Sequence, residues 1–343
     1  MKNFAKANKP KKFLLVSTTG IGDILMGTPA IRALRESFPE SQIHFLVNAQ
    51  RKELILGSPY IDRILLYRNN ALFRFLLFWR VLPYTYDCVL VFHANEDIWK
   101  ILKSVRYRNC YNRQGFRDTS RRIIPLDILP RHSIQKRLAL VEKVGGKDPH
   151  NYRYDFFLPE KWITWAREQL TNGGLSPQER LVGINPGAAD PYRSWPLASF
   201  VEVAKFLRAS HGVKIFLNAS VQEKKMVQEF KELLGDQDFF CFPGRNLYQS
   251  AALIKACSLF ITNDTGPMHM AIGLEVPLIA LFAPSDPEVT GPLHYPRAVI
   301  LKKEKLCHPC KFRLCPNNDC LKQITVEEVC KAAEKILFPE KSQ

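Results

Sequence analysis

Apolar residues in this chain come in short unbroken runs, each followed by a glycine or polar turn and then by a stretch of helical spacing. Residues 12–19, KFLLVSTT, form the first run and enter the turn Gly20-Ile21-Gly22. From Asp23 to Glu36 the residues Ile24, Leu25, Ala30, Ile31 and Leu34 can share one helical face. Pro29 predicts a helix start near itself, because proline is tolerated only in a first turn. Residues 43–47 and 88–92 read as further strands. Strands that are apolar throughout, alternating with helices, predict a parallel sheet covered on both faces.

The pattern breaks between residues 148 and 180, where Asn172-Gly173-Gly174 and Ser176-Pro177 punctuate the chain. It then restarts. Strands are predicted at 181–185, 213–217, 239–242, 259–262 and 277–282, the last taken as the final strand. Helices are predicted at 200–210, 222–234 and 247–256, with another opening at Asp264-Thr265-Gly266-Pro267. This divides the chain into a first domain over 1–155, a linker over 156–178, a second domain over 179–322 and a C-terminal helical segment over 323–343. Two doubly wound halves hold ligands at the carboxyl ends of their strands, where the glycine turns fall.

Charge separates the halves. Residues 1–150 carry 26 Lys/Arg against 12 Asp/Glu, or +14, and the remainder carries 23 against 21, or +2. So one-sided a field points to an anionic partner, with a generic solubility charge as the plainer alternative. No apolar stretch is long enough to span a bilayer, and none precedes Lys9-Pro10-Lys11-Lys12 as a signal peptide would require. Nine cysteines, an odd number clustered near the end, suit a reducing cytoplasm better than a secreted disulfide framework.

Three turns could carry chemistry. Asn263-Asp264-Thr265-Gly266-Pro267-Met268-His269 follows a strand and opens a helix, the arrangement that presents free N–H groups and a helix dipole to a phosphate. It reads equally as an Asp/Thr cap with His269 partly buried. Asn185-Pro186-Gly187-Ala188-Ala189-Asp190-Pro191-Tyr192-Arg193 is a glycine loop whose arginine could neutralise a diphosphate, or a surface loop beside a packed Trp195. Gly20-Ile21-Gly22-Asp23 places a carboxylate at the mouth of a strand–turn–helix unit, as a general base or as a helix cap. The dinucleotide fingerprint is incomplete, since Leu25 stands where its last glycine belongs, and no Walker-type Gly-Lys-Ser occurs.

In order and at suitable separations, FLLVSTTGIGDILMGTPAIRALRESFP, GINPGAADPYRSWP and TNDTGPMHMAIGLEVPLIALFAPSDP resemble the lipopolysaccharide heptosyltransferases of glycosyltransferase family 9. The resemblance implies an α/β chain of the GT-B class, two Rossmann-like doubly wound parallel-sheet domains facing across a cleft. The first would bind the acceptor and the second the nucleotide-sugar donor, with the C-terminal helix crossing back to the first. It implies inverting, metal-independent transfer, typically of a heptose from ADP-heptose to the lipopolysaccharide inner core, with no cofactor beyond that co-substrate. Carried over residue by residue, Asp23 is the base and Arg193 stabilises the departing diphosphate, where the family usually has lysine. Asp264 contacts the donor sugar, Glu223 holds the ribose, and Gly22, Gly187, Thr265, Gly266 and His269 complete the donor site. Some members carry hydroxyl residues where this chain has Ala188 and Ala189, so phosphate binding there would rest on backbone N–H groups.

An acidic, phosphorylated acceptor fits the basic half. Arg106, Arg108, Arg113, Arg117, Arg121, Arg122 and Arg131 lie in one stretch, and Arg113, Arg117, Arg121 and Arg122 are the candidates to touch the acceptor. Residues 71–82, ALFRFLLFWRVL, read as a helix packed on the first sheet or as one lying in a membrane interface, which would bring peripheral contact with the inner membrane. Cys307, Cys310, Cys315 and Cys320 have a spacing open to metal, but no metal is assigned. A basic nucleic-acid-binding protein is the rival class. It predicts aromatic residues among basic ones on a recognisable RNA-binding sheet or groove helix, and no such motif is present.

Overall fold

The structure, a computed structural model, describes residues 10–68, 70–81, 83–94, 96–103, 105–112, 123–125, 132–188, 190–235, 239–307, 310, 315 and 318–339. The chain forms two compact units, Met1–Phe157 and Leu158–Gln343.

In the first unit the elements run β1 (Lys12–Ser17), α1 (Ile21–Leu25), α2 (Thr28–Ser37), β2 (Gln42–Asn48), β3 (Arg63–Tyr67), α3 (Ala71–Val81), β4 (Thr85–His93), α4 (Glu96–Leu102), β5 (Arg106–Asn112), β6 (Ile123–Pro125) and α5 (Ser133–Lys143). All six strands pair in parallel, in the order β3-β2-β1-β4-β5-β6. The chain steps outward from β1 to β3, then returns through α3 to lay β4 on the other side of β1. The topological switch point therefore lies between β1 and β4. Phe13, Leu14, Leu15 and Val16 are fully buried, as the unbroken apolar run requires of a central strand with both faces covered. The helical pattern from residue 23 onward resolves into α1 and α2, the second starting at Thr28 beside Pro29, where the proline predicts a helix start. Gly27 separates them, with Pro29 in the first turn of α2. A Cβ on Gly27 would stand 3.1 Å from both the Ile24 carbonyl oxygen and the Phe92 ring, a tight fit that glycine relieves.

The second unit contains α6 (Glu160–Asn172), β7 (Leu181–Asn185), α7 (Leu197–His211), β8 (Lys214–Leu217), α8 (Lys224–Leu234), α9 (Leu247–Lys255), β9 (Leu259–Asn263), α10 (Gly266–Gly273), β10 (Leu278–Phe282), α11 (Pro287–Thr290), β11 (Ala298–Lys302), α12 (Asp319–Lys322) and α13 (Val326–Leu337). Its five parallel strands lie in the order β11-β10-β9-β7-β8, with the switch point between β7 and β9. Two Rossmann-like units of this kind are the architecture of the GT-B class.

Four expectations are corrected. Residues 156–178 are not a bare linker: α6 packs on α9, with Trp162 stacked on Tyr248 at 6.4 Å. The run at 239–242 makes one bridge, Phe216 to Phe240, and no strand. The strand at 277–282 is not the last, because β11 follows beside it. Finally, α13 belongs to the second unit. Its Val329, Ala332, Ala333 and Leu337 share a core with Val203 and Leu207 of α7 and with Ile261 and Ile279 of the sheet. His211 and Glu334 add a hydrogen bond at 2.8 Å, and the Arg180 guanidinium donates to the Leu337 carbonyl. Burial of this apolar stripe holds the helix on its own sheet.

Candidate active site

Chemistry-bearing residues gather at the switch point of each sheet. In the first unit Asp23 stands in the first turn of α1, just beyond β1. Its Oδ2 accepts from the Thr19 hydroxyl at 2.7 Å and from the Gly20 amide at 3.2 Å. Its Oδ1 accepts from Nη2 of Arg137 at 3.0 Å. Arg137 is fully buried on α5 and also donates to the Ser133 carbonyl at 2.8 Å. Asp23 thus acts as the cap the sequence allowed, through the Gly20 amide, and is also locked by a buried cation.

On the other side of the switch point His93 ends β4. The β1–β4 register shifts between Val16 and Ser17, so His93 rather than Phe92 pairs with Ser17. Such a bulge re-aims a side chain. The Nδ1 of His93 comes within 2.8 Å of the Thr19 hydroxyl oxygen. Since that hydroxyl donates to Asp23, its oxygen accepts from Nδ1–H of His93. His93 and Arg137 carried no motif, because they lie 74 and 114 residues from the partners they meet, while Thr19 stood in the first glycine-turn motif without a role of its own. Gly22 sits within α1 in this unit, its carbonyl accepting from the Met26 amide at 2.8 Å.

In the second unit the loops after β7 and β9 meet. Arg193 donates from Nη1 to Asp264 Oδ2 at 3.2 Å, and its Nε lies 3.8 Å from Asp190. Asp264 is buried, which pushes its carboxyl up, while the Arg193 guanidinium opposes the shift. Thr265 occupies the N-cap position of α10, but its hydroxyl donates to the Asn263 carbonyl at 3.3 Å and does not cap the helix. Gly266 and Pro267 open the first turn, and His269 is buried one turn along. Glu223, after β8, is held by the Ser220 amide at 2.7 Å and hydroxyl at 2.6 Å. Its free end reaches Gly187, where an added Cβ would lie 1.8 Å from Oε1. Arg193, Asp264 and Thr265 are therefore brought together, as are Gly187 and Glu223.

A buried amide network ties these turns to each other. Asn185 donates to the Gly187 carbonyl at 3.1 Å and the Thr265 hydroxyl at 3.3 Å, and accepts from Asn218 at 2.8 Å. Asn218 in turn accepts from Arg245 at 3.0 Å, and Asn263 donates to the Pro186 carbonyl at 2.7 Å. Each asparagine closes a strand or immediately follows one, a position the sequence marked only as the end of a run. Arg113, Arg117, Arg121 and Arg122 lie outside the described residues, as do Arg131 and Ala189. Arg106 and Arg108 are exposed on β5. Cys307 is exposed, Cys310 and Cys315 are half-buried, and Cys320 is buried on α12.

The model of glycosyltransferase family 9 (heptosyltransferase) matches residues 97–321, a span that holds every second-unit turn just described. The chain belongs to glycosyltransferase family 9. It is 25% identical over 338 residues to lipooligosaccharide heptosyltransferase 2 of Campylobacter jejuni, covering 95% of this chain and 98% of that protein, so the likeness extends through the Asp23 turn. Among solved structures it matches a family 9 glycosyltransferase from Veillonella parvula with a TM-score of 0.86 at 26% identity, over 98% of this chain and 99% of that one. An ADP-heptose lps heptosyltransferase II from E. coli shares the fold, with a TM-score of 0.76 at 22% identity over 96% and 100% of the two chains. As a family 9 member the chain is a glycosyltransferase.

Proposed function

We propose that this glycosyltransferase moves a heptose from ADP-heptose to the inner core of a lipopolysaccharide or lipooligosaccharide in the cytoplasm, with inversion and without a divalent cation. The observation that carries this reading is the sorting of charge between the two switch points. Asp23 is a carboxylate held ready in one unit. Arg193 and the first turn of α10 offer a guanidinium and backbone N–H groups in the other. In the reaction the acceptor oxygen attacks the anomeric carbon while its proton passes to Asp23. The bond from that carbon to the diphosphate breaks, and the electron pair leaves on the phosphate oxygen. A single displacement inverts the centre. Arg193 must release Asp264 in part to meet the diphosphate, and Asp264 is then free to take a sugar hydroxyl. With the guanidinium and helix amides neutralising the leaving group, no metal is required of the mechanism.

Glu223 has both its position at Gly187 and a fixed carboxylate, which suits a ribose diol. The heptose and the lipopolysaccharide-type acceptor rest on what the relatives are called and on the +14 charge of residues 1–150. Arg113, Arg117, Arg121 and Arg122 remain the candidates for the acceptor's anionic groups, and nucleic acid is not an expected partner.

Asp23→Ala is the direct test. Transfer from ADP-heptose, followed by product analysis, should fall by a factor on the order of a hundred or more while ADP binding persists. Turnover at the wild-type rate would remove Asp23 as the base. The pH profile separates it from its neighbour: an acid limb in kcat that disappears in His93→Gln would transfer the role to the imidazole. Screening ADP-, UDP- and GDP-sugars by thermal shift tests the donor independently.

A further inference from the structure

Helix α3 is apolar on both sides. Its inner residues Leu77 and Val81 are buried in the first unit's core with Tyr67, Tyr86 and Ile98. Its outer residues Leu72, Phe75, Leu76 and Trp79 are 63%, 58%, 38% and 55% exposed. Positions one, four, five and eight of such a series lie on one helical stripe. The Phe75 and Trp79 rings meet edge to face at 6.0 Å, so the stripe is a continuous surface. The sequence left two alternatives for this segment, packing on the sheet or facing a membrane, and the fold gives the helix one face for packing while leaving a second apolar face uncovered.

The surroundings of the stripe are cationic. No Asp or Glu occurs from residue 63 through residue 86, a stretch that contains Arg63, Arg68, Arg74 and Arg80. Arg68 and Arg80 are exposed, one just before α3 and one in its last turn. The bounding carboxylates are engaged: Asp62 by Arg35 and the Ile43 amide, Asp87 by the amides of Lys11 and Lys12 and by Arg108. Helix α4 buries Ile98, Ile101 and Leu102 in the same core as α3, and Lys100 and Lys103 beside them are exposed. Over residues 63–103 six Lys/Arg stand against three Asp/Glu.

An apolar stripe with aromatic rings, framed by arginines, has the chemistry of an anionic bilayer surface. A helix of 11 residues is about 16 Å long, far short of a hydrocarbon core of roughly 30 Å, so it can only lie in the plane. We propose that the outer face of α3 docks this chain on an anionic membrane surface, with Phe75 and Trp79 in the headgroup layer and Arg68 and Arg80 on lipid phosphates. This inference does not depend on which sugar is transferred.

Vesicle co-sedimentation tests it with the full-length protein. The probes are phosphatidylcholine vesicles with and without one part in four of phosphatidylglycerol. Wild-type protein should pellet with the anionic vesicles, and less so as salt rises. The double variant Phe75→Ser/Trp79→Ser should bind about tenfold more weakly or less still, as should Arg68→Glu/Arg80→Glu. Both pairs replace exposed side chains, and an unchanged circular dichroism melt will report that the fold is kept. An independent readout is Trp emission, whose blue shift on adding anionic vesicles should vanish in Trp79→Phe. Vesicle binding that survives both double variants, or a shift that persists in Trp79→Phe, would overturn the proposal. So would a wild-type dimer in sedimentation velocity that Phe75→Ser/Trp79→Ser dissociates without changing lipid binding. The occupant would then be a second copy.

Discussion

At the scale of single residues, the decisive contacts pair groups that elementary chemistry marks as costly alone. Arg137 is a fully buried cation, and its partnership with Asp23 and the Ser133 carbonyl is what makes that burial tolerable. Asp264 is a buried carboxylate for which Arg193 plays the same part. Gly187 is required by space. Its missing Cβ leaves the room that Glu223 Oε1 occupies, and the obstacle is the mobile end of a side chain. Gly187→Ala should therefore leave the melting temperature within a few degrees of wild type while weakening ADP binding about tenfold or more, measured by titration calorimetry. Unchanged affinity would separate Glu223 from the nucleotide. Glu223 and Gly187 were both legible in the sequence, one after a strand and one in a glycine loop. Their contact was not, since 36 residues separate them.

At the scale of elements, strands β2 and β4 carry a pH-sensitive pair. His44 on β2 is buried, with its Nδ1 2.9 Å from the Tyr86 hydroxyl on β4 and its ring edge-on to Tyr84 at 4.8 Å. Burial pushes the imidazole down to about 4, with nearby Arg63 and Lys12 adding to the effect and Asp62 opposing it. The unfolded chain binds the proton near pH 6.5 and the folded chain only near 4, so stability is lost as pH falls through that window. The loss is at most roughly 3 kcal/mol, from about 1.4 kcal/mol per pH unit. His44→Asn keeps a polar atom near the Nδ1 position and does not titrate. Urea midpoints at pH 7 and pH 4.5 should therefore differ less in the variant than in wild type, and an equal difference would exclude His44 as the source. The helices teach a related lesson. Periodicity predicted most of them and Pro29 marked the start of α2, but β5 was hidden because Arg106, Arg108 and Asn109 interrupt its apolar pattern near the sheet's edge.

At the scale of the whole molecule, the two units have separate cores and separate switch points, so nucleotide binding should be felt chiefly in the second. ADP at a hundred times its dissociation constant should stabilise the protein by about 2.7 kcal/mol. Hydrogen exchange should then slow around residues 185–187, 218–223 and 264–269. Protection confined to the Asp23 turn would contradict the assignment of donor and acceptor units. The sequence by itself determined the alternation of buried strands and helices, the restart of that plan near residue 180, and the three glycine turns with their family resemblance. All of these are local, because hydrophobic period and turn chemistry are written over windows of a few residues. Only the tertiary structure decided the strand order, and with it which turns share a switch point. It joined His93, Thr19 and Arg137 to Asp23, and it tied Asn185 to Asn218 and Thr265. It also kept α13 on its own sheet and left one apolar face of α3 uncovered. Those outcomes depend on pairings between distant segments, where the gain from burial and hydrogen bonding exists only after the chain has closed on itself.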